Sequence, residues 1–129
     1  MTTTNIGLHF SVKLTNNYNQ AYSLLTKLFQ DFKLEGNNVT IHHCFLDEET
    51  LKEKTGGSTP VYDLMRQFTS NLVCYNQSGN LAEDRKNMFS RLKDLDATSY
   101  FILPLVDGTQ IEYNIALEEG VRIQPVEFE

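Results

Sequence analysis

The chain has 129 residues, of which 40% are apolar and 22% charged, a composition that excludes collagen-like, low-complexity and disordered proteins. Its formal net charge of −6 argues against a protein that coats nucleic acid or binds anionic membranes, because both need positive charge. Two cysteines are too few for a disulfide framework. No linker or internal repeat interrupts the chain, so we expect residues 1–129 to form one domain.

No targeting or membrane-spanning pattern is found. The first residues lack a basic stretch followed by an apolar run, and no segment reaches the roughly 18 apolar residues of a membrane span. We therefore expect a cytoplasmic protein with reduced cysteines, with neither a membrane nor a nucleic-acid polymer as its partner.

The first third of the chain predicts a strand, a helix and a second strand. Alternating apolar residues from Ile6 to Val12 indicate the first strand. Val39 to Leu46 is rich in β-branched and aromatic residues and predicts the second strand, after which Asp47 is placed to cap a short helix. Between the strands, apolar residues at helical spacing predict a helix that ends at Gly36. These residues are Ala21, Leu24, Leu25, Leu28, Phe29 and Phe32.

The middle of the chain predicts two helices separated by a break at residues 76–80. Pro60 suits the first turn of a helix, and the glycine-rich loop at 55–59 before it is either mobile or a phosphate cradle. The first helix would bury Val61, Leu64, Met65, Phe68 and Leu72. The second would bury Leu81, Met88, Phe89, Leu92 and Leu95, with Arg85, Lys86, Arg91 and Lys93 on its solvent face.

The last third predicts a strand, a helix and an edge strand. Tyr100 to Val106 is a nearly continuous apolar run, which is typical of a central parallel strand. A helix from Ile111 to Leu117 would end at Gly120, and Val121 to Val126 would form an edge strand because it contains Pro125. Helices between strands imply crossover connections. The order therefore predicts an α/β fold with a mostly parallel central sheet and helices on both faces, in a Rossmann-like three-layer arrangement.

Such folds bind ligands beyond the carboxyl ends of their strands. The candidate ligand-binding residues at these ends are His9, Phe10, Ser11, Asp47, Gly108 and Tyr113. Asp107 and Glu112 would bring two carboxylates to one crevice, where acids serve as nucleophile or general base. The structural alternative is that Asp107 is a turn residue and Glu112 complements the helix dipole.

One stretch resembles a known family. Asp96 precedes the buried strand, Asp107-Gly108 forms the turn after it, and a helix follows with Glu112 and Ala116 at a spacing of four. From Met88 to Val126 the chain resembles the C-terminal half of the nucleoside 2-deoxyribosyltransferase-like proteins.

The resemblance implies that Glu112 attacks the anomeric carbon of a nucleoside or nucleotide and forms a covalent glycosyl–enzyme intermediate. It implies that Asp107 lies beside the base or sugar and that Tyr113 takes the position after the nucleophile. The small-molecule ligand would be processed without a cofactor, as a deoxyribosyltransferase or N-glycosidase does. A chain this short is also expected to form a homodimer or larger homo-oligomer that completes the site.

The chain departs from the family pattern at several positions. Asn114 stands where the family commonly has glycine, and Asn87 and Met88 occupy the place where it often has an aspartate. These departures favour an alternative function, a non-catalytic protein that captures a nucleotide-derived small molecule on the same scaffold. A purely structural interaction module is a third hypothesis, and an exposed apolar patch would be its sign.

Metal binding is not predicted. His42 and His43 are neighbours in a strand, so their side chains point to opposite faces and cannot share an ion. His9-Phe10-Ser11 together with His42 partly resembles the motifs of two-histidine phosphoesterases, but Cys44 stands where the second motif needs a hydroxyl.

Overall fold

The structure is a computed structural model that describes residues 3–34, 38–106 and 108–127. Its strands are β1 (Thr3–His9), β2 (Asn38–Leu46), β3 (Asn71–Asn76), β4 (Thr98–Ile102) and β5 (Arg122–Val126). Its helices are a 3-10 helix (Val12–Asn17), α1 (Tyr18–Leu34), α2 (Glu48–Thr55), α3 (Pro60–Arg66), α4 (Leu81–Asp94) and α5 (Gly108–Glu119). The strands form one sheet in the order β3-β2-β1-β4-β5, and every neighbouring pair is parallel. The predicted α/β class is confirmed.

Each face of the sheet carries its own core, which gives three layers. On one face, Ile6 and Leu8 of β1 pack with buried apolar residues of α1 and α3. On the other face, Phe101 of β4 packs with Met88, Phe89 and Leu92 of α4 and with Ala116 of α5. The alternation of side chains along each strand assigns successive residues to the two cores.

β3 was not predicted. The pattern placed Leu72 on the buried face of a long helix after Pro60, but α3 ends at Arg66 and Leu72 pairs with Ile41 of β2. Thr69 lies between the two elements, and its hydroxyl donates to the Val39 carbonyl. The apolar spacing of a short segment fits either a helix or a strand, and pairing with β2 decides the outcome here.

Two predicted strands begin and end earlier than expected. β1 ends at His9, because Ser11 caps the following 3-10 helix by accepting from the Lys13 amide. β4 ends at Ile102, before a cis peptide between Leu103 and Pro104.

Other local predictions hold. Asp47 caps α2 by accepting from the Thr50 amide, Gly120 follows α5 in the left-handed conformation, and β5 lies at an edge. Gly36, the predicted end of α1, lies outside the described residues. In the parts of the chain that the structure describes, no helix is long and apolar enough to cross a membrane.

The strand order creates a switch point between β1 and β4. From β1 the chain proceeds outward through β2 and β3, then returns to the other side of β1 as β4 and continues to β5. The two crossovers leave in opposite directions and open a crevice at the carboxyl ends of β1 and β4, which is where ligands bind in open α/β sheets. His9 ends β1 at this crevice, and α5 begins six residues after β4 ends.

Candidate functional site

The centre of the candidate site is the carboxylate of Glu112, one turn into α5. Its Oε1 atom lies 3.1 Å from His9 Nδ1 at the end of β1, and its Oε2 atom lies 3.6 Å from Arg85 Nε on α4. The Glu112 and Arg85 side chains are each 12% exposed, while that of His9 is fully buried. Three elements therefore fix one carboxylate, which retains a small opening to solvent.

The His9 ring is held by aromatic neighbours. Its centroid lies 4.4 Å from that of Phe101 in a stacked arrangement and 5.2 Å from that of Phe89. Such packing leaves the imidazole little rotational freedom, so the orientation of Nδ1 toward Glu112 is determined by the core. A carboxylate only accepts hydrogen bonds, so His9 donates in this contact.

The prediction that Arg85 lies on the solvent face of α4 is wrong. Lys86, Arg91 and Lys93 are exposed as predicted, but Arg85 turns toward α5. Gly108 provides the space for it, because a Cβ atom at that position would lie 2.9 Å from Arg85 Nη2 and 3.8 Å from Glu112 Oε2. The Arg85 guanidinium and the Glu112 carboxylate thus approach each other beside Gly108, where no side chain of α5 occupies the space.

The Cys44 thiol is close enough to interact with the charges of Glu112, Arg85 and Asp84. Burial raises the pKa of the Cys44 thiol to about 12, and the negative charges of Glu112 and Asp84 add to the rise while Arg85 opposes it. The thiol is therefore protonated at neutral pH and does not act as a nucleophile. Asp84 is only 4% exposed and accepts from the Ser78 amide at 3.3 Å. The family pattern places an acid near Asn87 and Met88, and sequence analysis missed that Asp84, one turn earlier in α4, is a buried acid.

A cavity of about 310 Å³ lies at the carboxyl ends of β1 and β4. Its apolar walls are Phe10, Leu14, Ile102, Leu103, Pro104 and Val106, and its polar walls are Ser11, Lys13 and Asn17. Two of the predicted ligand-binding residues, Phe10 and Ser11, therefore line a cavity at the switch point. Glu112 does not line it, but Val106 does, and Val106 is only two residues from Gly108 beside the Glu112 carboxylate.

A larger groove of about 570 Å³ runs between α1 and the end of β5. Its walls are mainly polar side chains of α1, and none of them belongs to the group around Glu112. We place the candidate site at the switch point, where the group around Glu112 and the smaller cavity both lie near the carboxyl ends of β1 and β4, although Glu112 does not line the cavity.

Among the described residues, the predicted Asp47 and Tyr113 make their recorded contacts with groups other than the Glu112 carboxylate. Both carboxylate oxygens of Asp47 bind Thr50, one to its amide at 3.1 Å and one to its hydroxyl at 2.8 Å. The Tyr113 ring packs edge-on against Phe101 with centroids 5.2 Å apart. Asp107 lies outside the described residues.

His42 and His43 lie on opposite faces of the sheet, as predicted. His42 contacts the Tyr75 hydroxyl at 2.8 Å and Asn5 Oδ1 at 3.0 Å, while His43 packs against Tyr62 of α3. Among the described residues, no three histidine, cysteine or acidic side chains are grouped closely enough to hold a metal ion.

The arrangement can present one oriented carboxylate to a small molecule at the switch point. Such a group acts as a nucleophile, as a general base or as an acceptor for ligand hydroxyls. No protein-family model, curated protein or solved structure matches the chain. The functional interpretation therefore depends on the chemistry of these residues.

Proposed function

We propose that the protein processes the N-glycosidic bond of a nucleoside or nucleotide, with Glu112 as the nucleophile. The observation that carries the proposal is the placement of the Glu112 carboxylate between His9 and Arg85 at the switch point. Arg85 places a positive charge beside the carboxylate, and the buried His9 ring orients it. A nucleophilic carboxylate needs a defined orientation.

The reaction would proceed in two displacements. A Glu112 carboxylate oxygen attacks the anomeric carbon, and the base departs with the electrons of the C–N bond and takes up a proton. Water or a second base then attacks the same carbon, releases the carboxylate and gives up a proton. Two inversions retain the configuration of the sugar.

The cavity suits the base of such a ligand. Its volume of about 310 Å³ is at the lower end of the range of small-molecule sites, and its walls are mainly apolar. Pro104 offers a flat apolar surface for a planar ring, and the Ser11 hydroxyl offers a polar contact. For catalysis, the sugar of a base held in the cavity would have to reach Glu112, which is not among the residues that line it.

The direct test is base release. Purified protein would be incubated with a panel of nucleosides and nucleotides, and free base would be measured by chromatography. The Glu112→Gln variant keeps the shape of the side chain and should lose activity by on the order of 10³-fold or more. Glu118→Gln, on an exposed residue of the same helix, is the matched control and should retain wild-type activity. Equal rates for wild type and Glu112→Gln would contradict the proposal.

A non-catalytic binding protein is the second candidate. It is favoured by the fact that Glu112 is not among the residues that line the cavity, so a ligand can fill the apolar space without meeting the carboxylate. A nucleotide that raises the melting temperature and is recovered intact after long incubation would identify a binder. Release of free base from the same compound would identify the enzyme.

The cytoplasmic location remains a prediction.

The homo-oligomer also remains a prediction. Ile111 and Leu117 are large apolar residues of α5 that are 50% and 58% exposed, and Ile111 adjoins Glu112 in the sequence. We propose that α5 contributes to a symmetric contact near the site. Light scattering after gel filtration should give twice the monomer mass or a higher multiple, and Ile111→Glu should lower it.

A further inference from the structure

A buried serine lies behind the His9 ring, on the side opposite Glu112. Ser99 of β4 is directly opposite Gly7 of β1 in the parallel register, and His9 follows Gly7 by two residues on the same face of the sheet. Ser99 is fully buried and His9 is 1% exposed. Neither Ser99 Oγ nor His9 Nε2 has a hydrogen-bond partner among the described residues.

Both polar atoms face the same point above Gly7. A Cβ atom at Gly7 would lie 2.7 Å from Ser99 Oγ and 2.8 Å from His9 Nε2, so the two atoms are no further apart than the sum of those distances. The same position would also be 2.8 Å from Leu92 Cδ1, which closes the space from α4. Only glycine leaves this space to the hydroxyl and the imidazole.

The protonation of His9 determines which of the two atoms donates. Because the Glu112 carboxylate accepts from Nδ1, the neutral ring carries its proton there, and Nε2 has a free lone pair that requires a donor. A buried acceptor without a partner is costly, and the Ser99 hydroxyl is the donor that this space contains. Two atoms this close can be joined by a rotation of the Ser99 side chain or through one bridging water molecule.

We propose that Ser99 is a positioning residue that donates to His9 Nε2 and thereby holds the His9 proton on Nδ1, directed at Glu112. Ser99 is too deeply buried to meet a ligand, so it acts only through His9. The carboxylate at the opening is then oriented by a chain of two hydrogen bonds that begins in the sheet. The effect on catalysis rests on the proposed function, whereas the position of the proton does not.

The other two histidines provide internal references. His42 Nε2 faces Asn5 Oδ1, which only accepts, so the proton of His42 is on Nε2. His43 Nδ1 accepts from the Phe45 amide, so its proton is also on Nε2. Of the three histidines in the chain, His9 alone is expected to carry its proton on Nδ1.

The test is nitrogen NMR of protein labelled with ¹⁵N-histidine, at a pH where the rings are neutral, with His9 assigned through a His9→Phe variant. The wild type should show one ring protonated on Nδ1 and two on Nε2. Ser99→Ala should shift the Nε2 resonance of His9 and leave His42 and His43 unchanged. Ser99→Cys keeps a weaker donor of similar size and should give a smaller shift, and it serves as the variant of choice if Ser99→Ala does not fold. Ser90→Ala, on the exposed face of α4, should change none of the three rings.

A wild-type His9 ring protonated on Nε2 would overturn the proposal, as would an Nε2 resonance that is the same in wild type and in the Ser99 variants. If base release is found, Ser99→Ala should slow it about fivefold, the factor that corresponds to the loss of one hydrogen bond of about 1 kcal/mol. Absence of base release with the predicted resonances would reject the proposed function alone. Base release with unchanged resonances would reject the role of Ser99 alone.

Discussion

Glu112 Oε1 lies 3.1 Å from His9 Nδ1, although 103 positions of the chain separate the two residues. The contact joins α5, the helix after β4, to the end of β1. β1 and β4 are the neighbouring strands that flank the switch point of the sheet. A bond formed across such a junction contributes to folding and also fixes the candidate site, so its energy can be measured independently of any ligand.

We expect His9 and Glu112 to be energetically coupled. A double-mutant cycle would use His9→Phe, which keeps an aromatic ring beside Phe101, and Glu112→Gln, which removes only the charge. Because the pair is largely buried, the coupling free energy from urea unfolding should be about 1 to 3 kcal/mol. Additive effects within about 0.5 kcal/mol would show that the contact contributes nothing of its own.

We expect the Gly108→Ala variant to lose activity or ligand affinity while keeping its thermal stability. The new methyl group would lie 2.9 Å from Arg85 Nη2, and the flexible end of the arginine would have to move away from the carboxylate. Gly108 is the first residue of α5, where alanine lacks the advantage over glycine that it has in a helix interior, so the melting temperature should stay about unchanged. Base release or ligand affinity should fall about tenfold, which corresponds to about 1.4 kcal/mol of lost positioning. A variant that is as active as the wild type would show that the position of Arg85 is unimportant.

The elements that were predicted correctly are those whose structure is determined by residues close together in the sequence. α1 has six apolar residues at helical spacing, and Asp47 has both the side chain and the position of a helix cap. β5 contains a proline that excludes it from the centre of a sheet. In these cases the residues that determine the structure are neighbours in the chain.

Where prediction failed, the deciding contact is distant in sequence. Leu72 is paired by Ile41, and Arg85 turns inward because α5 has a glycine beside it. The alternation along β1 places His9 on the face opposite Leu8, but it does not show that Phe89 and Phe101 will enclose the ring. Charged residues on one face of a helix predict a solvent-exposed face, but the prediction fails where another helix packs against that face, as α5 does at Arg85.

The protein should lose stability as the pH falls from about 6.5 to 4, and His43 should account for part of the loss. Burial, with smaller effects of His9 and His42, lowers the pKa of His43 from 6.5 to about 4. In this range the unfolded chain binds a proton at His43 that the folded protein does not bind, so acid favours unfolding. The shift corresponds to about 3 kcal/mol.

Urea unfolding at pH 7 and pH 5 would measure this effect. His43→Phe keeps a ring against Tyr62 and should reduce the difference between the two pH values, whereas Lys86→Gln, on an exposed side chain, should not. A pH dependence that is identical in wild type and His43→Phe would show that His43 is protonated equally in both states.

Cys44 should be inert in the folded protein. Because burial and the nearby charges of Glu112 and Asp84 raise its pKa to about 12, only about one thiol in 10⁴ is ionised at pH 8. Iodoacetamide at pH 8 should therefore leave Cys44 unmodified in native protein and modify it in urea, as peptide mass spectrometry would show. The same shift works against the fold in alkali, since above pH 9 the unfolded chain releases the thiol proton while the folded protein keeps it. The melting temperature should fall between pH 9 and 11, and less steeply in Cys44→Ala. Rapid modification of Cys44 in native protein would mean that the thiol is ionised beside Arg85, which would reverse the electrostatic description of the site.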